Sequence, residues 1–155
     1  MPLVIEQHRQ ERCLVLSLQG SLMGAASAEK LRSSIREVLA ENQKLVLLDV
    51  SGLGQVEEDG ERPIDDFGIE SILAAAFMTS YAGGVLRVFG ASSEIAKVFE
   101  QADASDLLAR GTTEEACAGE LLDLVPDAQP FDILQFVREE ERENTQAESV
   151  AEPQA

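Results

Sequence analysis

The chain has 155 residues, of which 45% are apolar, and its 29 acidic and 12 basic side chains give a formal net charge of −17. This length fits one domain, or one domain with a tail, and the apolar fraction allows a sizeable core. Such a charge argues against nucleic acid and anionic membrane surfaces as partners, because both are bound by clustered cations. No signal peptide or 18-residue apolar run is visible, so we expect a cytoplasmic protein.

The first predicted elements are two strands and a helix. The strands are Leu3 to Gln7 and Cys13 to Gln19, and the short polar link between them indicates an antiparallel hairpin. Odd- and even-numbered residues of the second strand should face opposite sides of the sheet. A helix is predicted from Ser27 to Asn42, with Ser27 as its N-cap, because apolar residues recur there at helical spacing. They are Leu31, Ile35, Val38 and Leu39.

The middle of the chain predicts a central strand, a loop and an apolar helix. Lys44 to Val50 is apolar on both faces, which is typical of a strand covered on both sides. Ser51 to Pro63 is polar, acidic and rich in glycine, so we expect a long loop. Ile69 to Ala82 is apolar on nearly all sides and predicts a helix, which Gly83-Gly84 would terminate.

The last third predicts one more strand and two helices. Val85 to Phe89 is expected to be a buried strand, followed by a helix from Glu94 to Ala102 that Ser92 or Ser93 caps. Leu107-Leu108 is a candidate short edge strand. The capping-box pattern Thr112-Thr113-Glu114-Glu115 predicts a final helix that ends near Val125.

The chain is predicted to divide into a domain at residues 1–125 and two C-terminal segments. Residues 126–143 should form an amphipathic helical extension, with Phe131, Leu134 and Val137 near one face. Residues 144–155 are polar and acidic and are expected to be a disordered tail. The order of elements predicts an α/β fold with a mixed sheet of four to five strands and helices packed mainly on one side.

The two cysteines and the single histidine give no indication of a catalytic or metal-binding site. Cys13 and Cys117 stand in apolar segments and are expected to be small buried side chains in a reducing compartment. His8 is the one histidine and is expected at the surface. No Ser-His-Asp or Cys-His arrangement and no phosphate-binding loop with a lysine is present, so the sequence predicts a protein that is not an enzyme and has no metal or cofactor.

The chain resembles a STAS domain, the fold of bacterial anti-sigma factor antagonists, over about residues 3 to 122. The resemblance rests on the order and spacing of several short segments. They are Gly20-Ser21-Leu22, Ala28-Glu29-Lys30-Leu31-Arg32, Leu47-Leu48-Asp49-Val50-Ser51-Gly52-Leu53, Gly83-Gly84-Val85-Leu86-Arg87-Val88 and Thr112-Thr113-Glu114-Glu115-Ala116. The family's decisive motif, Asp-Ser-Ser/Thr-Gly-Leu, opens the second helix. Its counterpart here is Asp65-Asp66-Phe67-Gly68-Ile69.

The resemblance implies a phosphorylation switch that this chain has lost. In the family, the serine after the aspartate is phosphorylated by a kinase that is also the anti-sigma factor, and phosphorylation releases the antagonist. Asp66 occupies the phospho-acceptor position here, and Phe67 replaces the second hydroxyl. Asp66 is either a partial stand-in for phosphoserine or an ordinary helix N-cap. Phe67 is either an exposed anchor for a partner, or a hydrophobic staple or core residue.

The resemblance implies a non-catalytic signalling module in transcription regulation. Its partner would be a protein, either an anti-sigma factor kinase or a STAS-containing complex, and a homodimer is a further option. The expected partner-binding residues are Asp65, Asp66, Phe67, Gly68 and Glu70.

The alternative is a module that senses a ligand or divalent ion with the acidic loop 55–63 and the helix start 65–69. The acids available for such a site are Asp49, Glu57, Glu58, Asp59, Asp65, Asp66 and Glu70. They lack the spacing of a known calcium loop, which favours a solvated acidic loop.

Overall fold

The computed structural model describes residues 2–54 and 63–125. Its strands are β1 Val4–Gln10, β2 Cys13–Gly20, β3 Leu45–Leu53 and β4 Val85–Phe89. Its helices are α1 Gly24–Ala40, α2 Asp66–Tyr81, α3 Ser93–Gln101 and α4 Glu114–Leu124, with a short 3₁₀ turn at Ser105–Leu107. Residues 55–62 of the predicted acidic loop, the predicted C-terminal helix and the predicted acidic tail fall outside the described residues.

The described strands form one mixed sheet in the order β1-β2-β3-β4. β1 and β2 pair as an antiparallel hairpin, while β2 with β3 and β3 with β4 are parallel. The predicted α/β fold with a mixed sheet is therefore confirmed. Leu107-Leu108 is not a strand, because the chain makes a 3₁₀ turn there and only Leu108 forms a single parallel bridge, to Val88.

Alternation along the strands builds a core on each face of the sheet. The even-numbered residues of β2, such as Leu16, pack with α1, α2 and α3 in the larger core. The odd-numbered residues Cys13 and Val15 pack with α4 in the smaller core, which includes Leu121. Three helices thus cover one face of the sheet and one helix covers the other. This agrees with the prediction that the helices pack mainly on one side. In the part of the chain described, no helix has the length and apolar character to cross a membrane.

Two of the predicted boundaries that the structure corrects were wrong because pairing across the fold replaces a local signal. α1 begins at Gly24 after Met23, whose side chain makes no capping hydrogen bond, so Ser27 is not the N-cap. The Gly24 N–H is bound instead by the Asp65 carboxylate, from a distant part of the chain. β3 continues to Leu53 instead of ending at Val50, because its last residues pair with the end of β2.

The helix ends follow the predicted capping chemistry with small shifts. α2 begins at Asp66, three residues before the predicted start. It ends as predicted at the glycine pair, where the Gly83 N–H donates to the Ser80 carbonyl and the Gly84 N–H donates to the Thr79 carbonyl. Ser92 caps α3, as one of the two predicted residues. In α4 the N-cap is Thr113 instead of Thr112, so the predicted capping box is not formed, because the third residue after Thr113 is Ala116, which has no carboxylate.

Both cysteines are free and buried, as predicted. Burial raises the pKa of the Cys13 thiol to about 11, with the Glu11 carboxylate adding to the effect. Burial, and then the charge of Glu120, also raises the pKa of Cys117. Both thiols stay protonated at neutral pH and behave as small apolar side chains. His8 is exposed, as predicted, and its Nε2 lies 2.7 Å from a carboxylate oxygen of Glu114 on α4.

Candidate functional site

The start of α2 is held against the connection between β2 and α1. The Leu22 N–H donates to the Pro63 carbonyl at 2.9 Å, and Leu22 and Ile64 form a parallel bridge. The Asp65 N–H donates in turn to the Leu22 carbonyl at 3.4 Å. These backbone contacts fix the residues immediately before α2 and therefore fix the direction in which its first turn points.

Asp65 is the capping residue of α2 and also a clamp on α1. Its Oδ1 accepts from the Gly68 N–H at 2.9 Å, in the geometry of an N-cap. Its Oδ2 accepts from the Gly24 N–H, also at 2.9 Å, at the start of α1. One carboxylate thus joins two helix N-termini, and each of its oxygens already has an N–H partner.

Gly68 permits the close approach between α2 and the β2–α1 connection. A Cβ at this position would overlap the Leu22 carbonyl oxygen and would lie 2.7 Å from Cγ1 of Ile64. Both neighbours are parts of the buried framework, so neither is free to move aside. The glycine of the motif is therefore required here by space and not by an unusual backbone angle.

Asp66 and Phe67 are the first two residues of α2 and both are exposed. The alternative in which Asp66 is the N-cap is wrong, because Asp65 makes the capping hydrogen bond. The alternative in which Phe67 is a core residue is also wrong, because 52% of Phe67 is exposed. With Glu70, which is exposed one turn later, the helix start presents two carboxylates and an aromatic ring to solvent. The positive end of the helix macrodipole favours acids at this place.

Ser71, the one hydroxyl residue between positions 65 and 71, is fully buried and donates to the Gly68 carbonyl at 2.6 Å. We therefore expect the protein to take no phosphate on residues 65–71, because Asp66 has no hydroxyl and that of Ser71 is enclosed. Incubation of the folded protein with protein kinases and ATP, followed by mass spectrometry, tests this prediction. Stoichiometric phosphate on Ser71 would contradict the placement of that side chain.

A groove of about 240 Å³ lies between the start of α2 and the end of α3. Asp66 and Ile69 line its α2 side, and Val98 and Gln101 line its α3 side. Asp66, which lines the groove, is followed in the chain by the exposed Phe67, so the helix start has both a concave surface and an exposed ring. Such a surface suits contact with another protein.

The acids proposed for an ion site are not brought together in the described residues. Asp49 accepts hydrogen bonds from the Ser51 N–H and hydroxyl, at 2.9 and 2.7 Å. Residues 2–54 and 63–125 contain no group of three or more His, Cys, Asp or Glu side chains that could hold a metal ion. Glu57, Glu58 and Asp59 lie outside the described residues.

Two contacts that hold the start of α2, from the Gly24 N–H and the Leu22 carbonyl, are not indicated by the local sequence around residues 65–70. Leu22 belongs to a segment on which the resemblance rests, yet nothing local shows that it contacts Gly68. Gly24 has a φ of +81°, a backbone angle that glycine adopts readily. A glycine shortly after a strand was the one feature of the sequence that could have indicated a special backbone conformation at the start of α1.

Comparison with known proteins agrees with this architecture. A model of the STAS domain family matches residues 4–117. SpoIIAA, a Bacillus cell-fate determinant, is similar in its unphosphorylated form, with 18% identity, a TM-score of 0.62, and coverage of 79% of this chain and 99% of SpoIIAA. No curated protein sequence gives a significant match.

Two further solved structures show the same fold. An anti-sigma factor antagonist from Mycobacterium paratuberculosis is 14% identical, with a TM-score of 0.58 and coverage of 77% of this chain and 93% of that protein. A serine-to-glutamate variant of RsbS from Moorella thermoacetica is 13% identical, with a TM-score of 0.61 and coverage of 79% and 97%. Similarity at such low identity shows the fold alone, whereas the family model spans most of the sequence. The chain therefore belongs to the STAS domain family.

Proposed function

We propose that this protein is a non-catalytic signalling module of the anti-sigma factor antagonist type. It binds a protein partner, either an anti-sigma factor kinase or a signalling complex that contains STAS domains, through the start of α2. Of the five residues expected to bind the partner, the exposed Asp66, Phe67 and Glu70 carry this surface. Asp65 and the buried Gly68 hold the helix start in position. Asp66 supplies a permanent carboxylate at the position that the family phosphorylates, so binding is not switched by phosphorylation there.

The proposal rests on one observation, which is that Asp65 caps the start of α2 whereas the neighbouring Asp66 does not. Both carboxylate oxygens of Asp65 accept hydrogen bonds from backbone N–H groups, those of Gly68 and Gly24, so the adjacent Asp66 is not needed as a cap. The positive end of α2 accounts for a carboxylate at Asp66, but the exposed Phe67 beside it is unexplained by folding, because large apolar side chains are costly to leave in water. A partner that covers the ring and meets the carboxylates with basic groups would account for this exposure.

The solved relatives support a link between this fold and phosphorylation. SpoIIAA has been solved in phosphorylated and unphosphorylated forms, and the family resemblance puts the phospho-acceptor at the position of Asp66 in this chain. A carboxylate offers one negative charge and two acceptor oxygens, compared with about −1.5 to −2 and three for a phosphate. Asp66 is therefore a partial substitute that holds the chain in one charge state.

The experiment is a comparison of the proteins retained by four immobilised chains in lysate of the source organism. Wild type is expected to retain a stoichiometric protein partner, and Phe67→Ala and Asp66→Ala are expected to retain much less of it, because each removes part of the contact surface. Leu124→Ser is the matched control, since Leu124 is an equally exposed apolar residue on α4.

Equal retention of every partner by wild type and both α2 variants would contradict the proposed face. The ion-sensing alternative has its own signature, which is an increase in melting temperature on addition of Ca²⁺ or Mg²⁺ to the full chain, because binding to the folded state alone stabilises it. Such stabilisation without a protein partner would replace the proposed function with the alternative.

A further inference from the structure

The outer surface of α2 carries an apolar stripe beyond the proposed partner face. Leu73, Phe77 and Tyr81 are spaced four residues apart and therefore lie along one side of the helix. Phe77 and Tyr81 are 71% and 61% exposed, and their rings stack with centroids 6.4 Å apart. We call these three residues the α2 stripe. The rest of the described domain does not cover it.

The charge pattern of α2 limits what can cover the stripe. Residues 71–81 contain no charged side chain, although the whole chain has a net charge of −17. A basic partner would be drawn to acids, and these stand at Asp66 and Glu70, before the stripe begins. A second copy of so acidic a chain can approach closely only through an uncharged surface, and the stripe is one.

We propose that the α2 stripe is a homodimer interface, in which α2 of a second copy packs antiparallel with the two Phe77 side chains on the two-fold axis. A two-fold interface requires a surface that is complementary to itself. With Phe77 on the axis, Leu73 of one copy lies opposite Tyr81 of the other, so a smaller side chain faces a larger one on each side. Antiparallel α2 helices also align their macrodipoles favourably.

The same register gives charge complementarity at the ends of the stripe. It carries Glu70 of one copy just beyond the end of α2 of the other, where the chain turns at Gly83. There the ammonium nitrogen of Lys44 lies 3.9 Å from the place that a Cβ would occupy at Gly83. An acid of each copy thus comes toward a base of the other. Asp66 and Phe67 lie outside the overlap, so the dimer leaves this part of the proposed partner face open, whereas Glu70 is shared between the two surfaces.

The size of the stripe predicts a reversible dimer. Aromatic side chains bury about 150–250 Å² each, so the partly exposed stripe supplies roughly 300 Å² per copy. Standard stable interfaces bury roughly 800 Å² per partner, and smaller ones are weak or transient. We therefore expect monomer and dimer to exchange at concentrations of about 10–500 µM.

Sedimentation of the full chain across that concentration range tests the proposal. Wild type is expected to shift from monomer to dimer mass. Phe77→Glu and Phe77→Lys are each expected to stay monomeric, because the two-fold axis brings two like charges together. An equimolar mixture of these two variants is expected to recover a dimer, since opposite charges then meet at the axis. Leu124→Ser should associate like wild type, and circular dichroism confirms folding of every variant.

Three outcomes would overturn the proposal. One is a wild-type chain that stays monomeric up to about 500 µM. Another is a dimer that both charged Phe77 variants retain. The third is a mixture of the two variants that fails to associate. If wild type is monomeric and Phe77→Glu raises amide exchange in residues 131–143, the chain's own C-terminal segment covers the stripe. None of these outcomes bears on the partner face at Asp66 and Phe67, so the proposed function is tested separately.

Discussion

Gly68→Ala is expected to lower the free energy of unfolding by about 3 kcal/mol, at the upper end of the usual cost of overpacking. The added methyl group would overlap the Leu22 carbonyl oxygen and press on the buried side chain of Ile64. Relief requires α2 to move away from the β2–α1 connection, which would also stretch the hydrogen bonds of Asp65. Urea unfolding of the purified variant measures the loss.

Gly119→Ala is the matched control, because a Cβ at Gly119 has no neighbour within 4 Å. Gly119 lies inside α4, where alanine is favoured over glycine by about 1 kcal/mol, so this variant should be as stable as wild type or more stable. If Gly68→Ala is as stable as wild type, the close approach at the start of α2 is not as tight as the structure describes.

Asp65→Ala is expected to destabilise the fold by about 2–3 kcal/mol, whereas Asp66→Ala should change stability by less than about 0.5 kcal/mol. Loss of the N-cap typically costs about 1 kcal/mol. The second loss is the hydrogen bond to the part-buried Gly24 N–H, which would have no acceptor. The adjacent Asp66 is exposed and makes neither contact.

Thermal and urea unfolding of the two variants under one buffer condition separate these neighbouring carboxylates. Asp65→Asn is a useful third variant, because its single amide oxygen can accept from one N–H and not from both. Its stability should fall between the other two. Equal loss of stability in Asp65→Ala and Asp66→Ala would contradict the claim that only Asp65 has a structural role at the helix start, and the proposed function depends on that claim.

Most of the fold follows from local patterns in the sequence. The alternation in β2 predicted which of its residues share a face of the sheet, because successive side chains of a strand point to opposite faces. Val85 to Phe89 was predicted with the bounds that the structure has, since glycines and a polar turn enclose a short apolar run. The glycine pair after α2 and the serine before α3 marked helix ends by ordinary capping chemistry.

The candidate site was harder to predict because its supports come from distant parts of the chain. Gly24 and Asp65 are 41 positions apart, so no local pattern indicates that the Gly24 N–H donates to the Asp65 carboxylate. The start of α1 was misplaced for the same reason. The sequence offered Ser27 as a local cap, but the fold supplied a remote one.

α2 shows a different limit of sequence reasoning. Apolar residues stand on nearly every side of this helix, which usually indicates a fully buried helix. The structure buries Ile72 and Ala75 but leaves Phe77 and Tyr81 exposed. A helix without an amphipathic pattern does not reveal which side packs against the sheet, so the exposed aromatic residues could be found only in the folded chain.

The central claim, that Asp66 and Phe67 form a binding surface for a protein partner, is tested most directly by the dissociation constant of the partner retained by wild type. Calorimetry with the purified partner should give a dissociation constant at least about tenfold higher for Phe67→Ala than for wild type, because an exposed aromatic anchor is a typical hot spot. Asp66→Ala should also weaken binding, and Leu124→Ser should leave it unchanged. Dissociation constants within about twofold of wild type for both α2 variants would contradict the account.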